Sequence, residues 1–347
     1  MTHTPSRRSI IVGAGATAMA LTPIKGPLFS TGARASTGQG AVMRDRITAF
    51  LVGLDEASRD AVLFDFNDRQ RQGWNYMLGS RPAPGFRLEQ MTDVQKDDAL
   101  EILRSGLSDE GFETALNIML QQDILRDEWN KGSRDRNRER FSLMVFGEPS
   151  ATEPWAWRWE GHHLTITFTL VGDEIVSHTP KAFASEPNTV PSGPHKGLVV
   201  LPENEVLGRA IFAEQEGAAR RRAHFQERSV GNITLTAGRE DRITGRAGLA
   251  LGEMPQTSID KVQRLIDLYT LDHLNGLIGN PQRSRNEASD LSAVHFAFSG
   301  RNEPDESIYY RIHGDTFLIE FATLRNQPQH HHTIVHDLER NLGRHVI

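Results

Sequence analysis

The chain has 347 residues, 38% hydrophobic and 24% charged, with a formal net charge of −6 at pH 7 and no cysteine. That balance is the composition of an ordinary globular protein, and its acidic pI near 6.2 argues against an electrostatic grip on nucleic acid. Without thiols, a metal site must use His, Asp, Glu or Met ligands, and stability must come from the core, because no disulfide is available.

The first segment reads as an export signal. Ser6-Arg7-Arg8-Ser9 precedes the apolar stretch IIVGAGATAMALT and the small-residue site Ala33-Arg34-Ala35. A twin arginine ahead of a short hydrophobic core is the address of the Tat route. The stretch is too short and too rich in Gly and Ala to span a bilayer. The expectation is that residues 1–35 are a signal read by the Tat translocase, with a periplasmic or secreted mature protein over 36–347 and no stable membrane insertion.

Helices come first in the mature chain. Residues 41–66 read as one helix, and the sequence GSRPAPG at 79–85 reads as a loop. Thr92-x-x-Gln95 is a capping box ahead of Val94, Leu100, Leu103 and Leu107. Ser108 opens a second amphipathic run with Phe112, Leu116 and Met119, giving two antiparallel helices joined at Gly106. The mixed charges of RDEWNKGSRDRNRER, residues 126–140, read as a solvated helix end and loop.

From residue 141 the period changes to two. FSLMVFG, WAWRWEGHHLTITFTLV, EIVSHTP and GLVVL read as strands, with helices returning at 203–226 and 257–279. LSAVHFAFSG and SIYYRIHGDTFLIEFA form a further strand pair, the second broken at His313-Gly314-Asp315. No internal repeat, Gly-rich phosphate fingerprint or nucleophile elbow is evident. The predicted fold is α+β: a helical N-terminal part (about 41–130) packed on a mixed or mainly antiparallel sheet (about 141–347), in a single large domain.

Histidine concentrates the chemistry. If residues 330–332 are extended, His330 and His332 share a face and His331 does not, which suits two ligands of one ion. A third imidazole from His162 or His163 completes a three-His site with an open position. Treated as one strand, 157–176 places His162 with Leu164, Ile166 and Phe168 toward the core, and His163 with Trp159 and Thr165 on the opposite face; this parity does not choose between them. Arg158 and Glu160 fall beside His162. Glu320, between Ile319 and Phe321, is a carboxylate that must be paired, and serves as a partner behind the ligands or as a general base.

At these residues the chain resembles a bacterial domain-of-unknown-function family, numbered 3500. The likeness rests on F-G-x-P-S-x-x-x-P-W-x-W-R-x-E-G-H-H-L from Phe146, Y-Y-R-I-x-G-x-T-F-L-I-E from Tyr309, and H-x-H-T-x-x-x-D from His330, and it spans roughly residues 45–347. The resemblance implies Arg158, Glu160, His162, His163, Glu320, His330, His332 and Asp337 as positions to watch. His336 departs from the Arg more usual there, and His313 from a frequent Gln. The family confers no reaction.

Two functions follow. The first is an exported metal-dependent hydrolase acting on a small-molecule substrate. His162, His163, His330 and His332 supply a divalent ion, with zinc favoured and copper or iron as oxidoreductase variants, while Glu320 or Glu160 takes a proton and Arg158 steadies an anion. The second is a non-catalytic periplasmic binding protein that stacks a ligand on Trp155, Trp157 and Trp159.

Overall fold

The computed structural model describes residues 32–78, 84–129, 136–269 and 293–345. Residues 1–31, which carry the twin arginine and apolar core of the expected signal, lie outside the described residues, as do 79–83 of the expected loop, 130–135 of the charged stretch and 270–279 of the last expected helix. Helices α1 (Gly32–Val52) and α2 (Glu56–Val62) lead into strands β1 (Leu63–Phe64) and β2 (Phe86–Arg87). Helices α3 (Asp93–Ser105) and α4 (Asp109–Asp123) follow. Next come the strands β3 (Ser142–Phe146), β4 (Pro154–Gly161), β5 (Leu164–Val171), β6 (Glu174–Ser177) and β7 (Lys181–Ser185). Then α5 (Asn204–Ala213), α6 (Gly217–Ala223), β8 (His224–Gln226), β9 (Leu249–Ala250) and α7 (Gln256–Asp267) precede β10 (His295–Ser299), β11 (Tyr309–His313), β12 (Phe317–Leu324) and β13 (Gln327–Asp337).

Local signals account for the starts of α2, α3 and α4. Thr92 and Gln95 form the reciprocal capping box of α3, and the Ser108 side chain accepts from Gly111 N at the start of α4. The helix expected over 41–66 is instead two: the Asp55 side chain accepts from Ser58 N and starts α2 afresh, and the chain turns extended at Leu63. GLVVL is not a strand; it contributes a single bridge, Thr189 to Val199, while Val200 and Leu201 bury themselves in the core.

All strands among the described residues join one 13-stranded mixed sheet, ordered β1-β3-β4-β5-β7-β13-β12-β11-β10-β8, with β2, β6 and β9 paired at its flanks. The fold is a single α+β domain, as the alternation of helical and two-residue periods indicates. Every α-helix among the described residues packs on one face of the sheet. Residues of α1–α4 meet Trp155, Trp157, Trp159, Ile166 and Phe168 in one cluster, and residues of α5–α7 meet Phe296, Phe298, Ile312, Ile319 and Phe321 in a second. Among the described residues the opposite face carries no α-helix in its clusters; Phe64, Phe66, Trp74, Tyr76 and Ile233 cover it from β1 and from irregular segments, with Leu342 of a short 3-10 turn beside them. Aromatic residues from those segments replace helices as the lid.

The strand order is a palindrome, and it reveals an internal duplication. Adding 153 to both members of the register pairs Ser142↔Glu160, Ala156↔Thr169 and Val171↔Glu174 gives His295↔His313, Tyr309↔Ala322 and Leu324↔Gln327, which are also pairs. At the edges β1 runs parallel to β3 as β8 does to β10, and β2 runs antiparallel to β3 as β9 does to β10. The buried Ala99, Ile102 and Leu103 of α3 match Val262, Leu265 and Ile266 of α7 at a constant spacing. Gly85 and Gly248, with φ of 95° and 100°, turn the chain into β2 and β9 in a region that favours glycine. Even one side-chain contact repeats: Arg59 Nη1 donates to Leu51 O and Arg220 Nη1 to Phe212 O, each at 3.3 Å. The repeat escapes sequence inspection because identities are sparse, among them Gly147/Gly300, Arg158/Arg311, Gly161/Gly314 and Phe168/Phe321. Burial and register constrain side-chain class at each position far more than identity.

Candidate metal centre

His162 and His163 are not strand residues. They form the two-residue turn between β4 and β5, and His163 has φ 71°, a left-handed value uncommon for any residue but glycine. The turn is held at its backbone: His163 N donates to Tyr76 O at 2.7 Å, and its carbonyl accepts from Ala184 N at 2.8 Å. Reversal at the turn also corrects the single-strand parity. Trp159 pairs with Ile166 and Trp157 with Phe168, so the tryptophans share the helix-covered face, while Arg158 and Glu160 pair with Thr167 and Thr165 on the other.

Strand β13 brings the other imidazoles. His330 and His332 project from one face and His331 from the opposite one, as their spacing dictates. His332 is flanked in register by Ala322 on β12 and Ala184 on β7, two small residues that leave room for an imidazole in an otherwise closed sheet. His163 and His332 are 1% and 2% exposed. His330 lies nearer the surface, its side chain 12% exposed.

The three rings converge. Nε2 of His330 lies 3.0 Å from Nε2 of His163 and 3.0 Å from Nε2 of His332. One ligand nitrogen from each lies within 4.8 Å of the others, so the set can hold a metal ion. Two bonds of about 2.0–2.1 Å to one tetrahedral ion put their nitrogens about 3.3 Å apart, close to these contacts.

Partners at Nδ1 fix the tautomers of two of the three rings, those of His332 and His330. His332 Nδ1 lies 2.8 Å from Oδ1 of Asn232, an oxygen that also accepts from Ile233 N, so the Nδ1 bears the proton and Nε2 a lone pair. Tyr76 OH lies 3.4 Å from the same Nδ1. His330 Nδ1 faces two acceptors, Gln327 Oε1 at 3.1 Å and Glu186 Oε2 at 3.7 Å, with the same consequence. Two lone pairs therefore point at each other across 3.0 Å, an arrangement that a cation between them relieves. Burial and the neighbouring imidazoles hold His163 and His332 well below the usual histidine range, which keeps both neutral and competent as ligands.

His162 stands apart from the converging trio. Its ring stacks on His163 with centroids 3.7 Å apart, and Nδ1 meets Gln122 Oε1 at 2.7 Å. Burial, followed by the charges of Arg136 and His330, lowers it to about 3. The pair thus divides, one residue into the cluster and one beside it.

Three of the four charged residues singled out in the sequence, Arg158, Glu160 and Glu320, bind backbone and side-chain groups rather than the imidazoles. Glu320, 0% exposed, accepts from Thr234 N, Leu235 N and Tyr309 OH, each at 2.8 Å. Glu160 accepts from Asn75 N at 2.9 Å and faces Arg158 Nη1 at 3.5 Å. Arg158 donates to Thr167 Oγ1 and to the carbonyls of Gln70 and Arg71. Burial raises both carboxyl groups, opposed by the donors and, for Glu160, first by Arg158. The two carboxylates anchor segments 75–76 and 232–235, and each segment carries one of the partners of His332. Asp337 lies elsewhere on β13, accepting from Glu339 N and Arg340 N. His313 lies across the sheet, opposite His295 in β10.

The ligand-stacking role for the tryptophans is overturned. Trp155, Trp157 and Trp159 are each 0% exposed, and Trp157 stacks on Phe168 at 4.9 Å, inside the helix-covered core. Sequence inspection missed Tyr76, Gln122, Arg136, Glu186, Asn232 and Gln327. Only Gln327, three residues before His330, has a local signal. Arg136 Nη1 pairs with Glu186 Oε2 at 3.0 Å, which orients that carboxylate beside His330. A cavity of about 540 Å³ runs along Tyr76, Asn232 and Thr236 on the far side of His332's partners.

Fold and site define a single-domain α+β protein with a buried three-histidine cluster able to hold a metal ion. The chain belongs to the family described as Protein of unknown function (DUF3500), whose family pattern matches residues 37–344. No curated protein and no solved structure matches the chain. No helix among the described residues is long and apolar enough to cross a membrane.

Proposed function

We propose that the chain is an exported metal-dependent hydrolase with a mononuclear site formed by His163, His330 and His332. The observation that carries this reading is the convergence of three Nε2 atoms whose protons are committed, for two of the rings, to the opposite nitrogen. Three imidazole ligands leave a coordination position open, the pattern of catalytic rather than structural zinc. A bound ion of this kind lowers the pKa of its water to about 7. The chain's own contribution is positional: Asn232 and Gln327 orient two imidazoles, and Glu186, held by Arg136, offers a second acceptor on the Nδ1 side of His330. An all-nitrogen donor set also suits copper or iron, so metal analysis separates hydrolase from oxidoreductase chemistry. Export rests on Arg7-Arg8 and the Ala33-Arg34-Ala35 site.

The test is elemental analysis of tag-free protein, followed by assay against ester, amide and phosphodiester substrates with and without chelator. Near-stoichiometric zinc and chelator-sensitive hydrolysis support the reading. Metal-free protein after reconstitution with zinc, copper and iron overturns it. Fractionation of cells producing wild type and Arg7→Lys/Arg8→Lys tests export separately: the wild type is expected in the periplasm and the variant in the cytoplasm.

A further inference from the structure

We propose that a second cavity, on the face opposite the α-helices, binds the carboxylate or phosphate group of a small anionic molecule. The cavity has a volume of about 510 Å³, and Arg69, Arg71, Trp74, Glu240, Asn341 and Arg344 line it. Three guanidinium groups thus face one carboxylate. Among the described residues no carboxylate comes within ion-pair distance of Arg69, Arg71 or Arg344.

Arg71 makes the case physical. It is only 5% exposed, stacks over Phe66 at 4.5 Å, and gives one nitrogen, Nη1, to Leu342 O at 2.7 Å. Its Nε has no acceptor. Trp74, 2% exposed on the same wall, likewise has an indole N–H without an acceptor. Both orphan groups are donors, so the missing partner is an acceptor.

Charge accounting points the same way. Arg158, 0% exposed, grips the carbonyls of Gln70 and Arg71, which fixes Arg71 beside a second buried guanidinium. Glu160, the carboxylate paired with Arg158, is the acidic partner within reach of this pair. Arg158 has Glu160 as its ion-pair partner while Arg71, among the described residues, has none, a costly arrangement for a buried guanidinium unless an anion completes it. Arginine's planar fork matches carboxylate and phosphate oxygens in pairs. The site does not depend on the metal centre, although it shares Trp74 and Ala237 with the cavity along Tyr76 and Asn232.

The experiment measures thermal unfolding and calorimetric binding of the full-length protein with inorganic phosphate and, separately, succinate, against chloride at equal ionic strength. Saturable stabilisation by either anion supports the site, phosphate alone assigning it to phosphoryl ligands and succinate alone to carboxylates. Arg69→Gln/Arg344→Gln, at exposed positions, is expected to weaken half-saturation at least tenfold while metal content stays unchanged. Arg71→Lys, which keeps the charge and loses the fork, is expected to weaken it as well. Equal effects of phosphate, succinate and chloride, or equal half-saturation in wild type and the double variant, overturn the proposal whatever the metal content.

Discussion

Asn232 Oδ1 lies 2.8 Å from Nδ1 of His332, joining residues 100 positions apart. This contact sets which nitrogen of His332 is free. Removing an outer partner of this kind typically costs 10–100-fold in metal affinity. Asn232→Leu is therefore expected to weaken zinc binding about 10–100-fold while the protein stays folded, and Asn232→Asp to retain most of it. Competition with a chromogenic chelator reads both; equal affinities for wild type and Asn232→Leu would remove the contact from the site's function.

Metal removal is expected to lower thermal stability, because a ligand that binds only the native state stabilises it by about 4 kcal/mol at a thousandfold excess over Kd. The difference between melting with zinc and with chelator should vanish in His163→Ala, His330→Ala and His332→Ala. It should persist in His162→Ala, whose ring only stacks on the cluster. Scanning calorimetry distinguishes the cases, and a loss in His162→Ala equal to that of the other three contradicts the division of the pair.

Glu320→Ala leaves Thr234 N, Leu235 N and Tyr309 OH without their acceptor. An expected loss of about 3 kcal/mol follows from unsatisfied buried donors. Glu320→Gln, which keeps an acceptor oxygen, is expected to lose less. Urea unfolding measures the loss, and zinc affinity should fall with it, since Asn232 sits at the head of the released segment. A destabilised Glu320→Ala with unchanged zinc affinity would show that the anchor and the site are independent.

Trp157→Ala is expected to cost about 3–5 kcal/mol, the usual range for deleting a large buried aromatic. The ring stacks on Phe168 and is fully buried. Equilibrium unfolding provides the number; a loss under about 1 kcal/mol would be inconsistent with a core position.

Acid sensitivity follows from two histidines outside the cluster. Burial lowers His313 and His336 to about 4 from an ordinary value near 6.5. Above that ordinary value both folded and unfolded states are neutral and neither group contributes. Between about 6.5 and 4 the unfolded chain takes up protons that the folded chain refuses, so stability falls as pH falls, by about 3 kcal/mol at most for the fully buried His336 and by less for His313, where solvent screens the charge. Unfolding at pH 7 and 4.5 should show a smaller difference in His336→Gln and His313→Gln than in wild type. Equal pH dependence in all three rules out these groups as its source.

Much of the site was legible one strand at a time. The H-x-H spacing of His330 and His332 on an extended run is a local fact, because alternate residues of a strand share a face wherever the strand lies. The adjacent pair His162-His163 was legible only as a pair. Which member joins the cluster depends on a turn with a left-handed residue, and that turn is set by hydrogen bonds to Tyr76 and Ala184, far away in sequence. Glu320 announced itself as a buried carboxylate needing partners. Two of its three partners, backbone N–H groups in a segment without strand or helix, left no pattern to read.

By itself the sequence determined the periodic elements: capping boxes, amphipathic helical faces and alternating strands, from which the α+β class follows, since those signals act between residues a few positions apart. Tertiary structure alone decided the palindromic sheet, the partners of His332 and the face to which the tryptophans belong. Each of these depends on strand register and on contacts between distant segments, where the free energy comes from burial and hydrogen bonding rather than from any local preference.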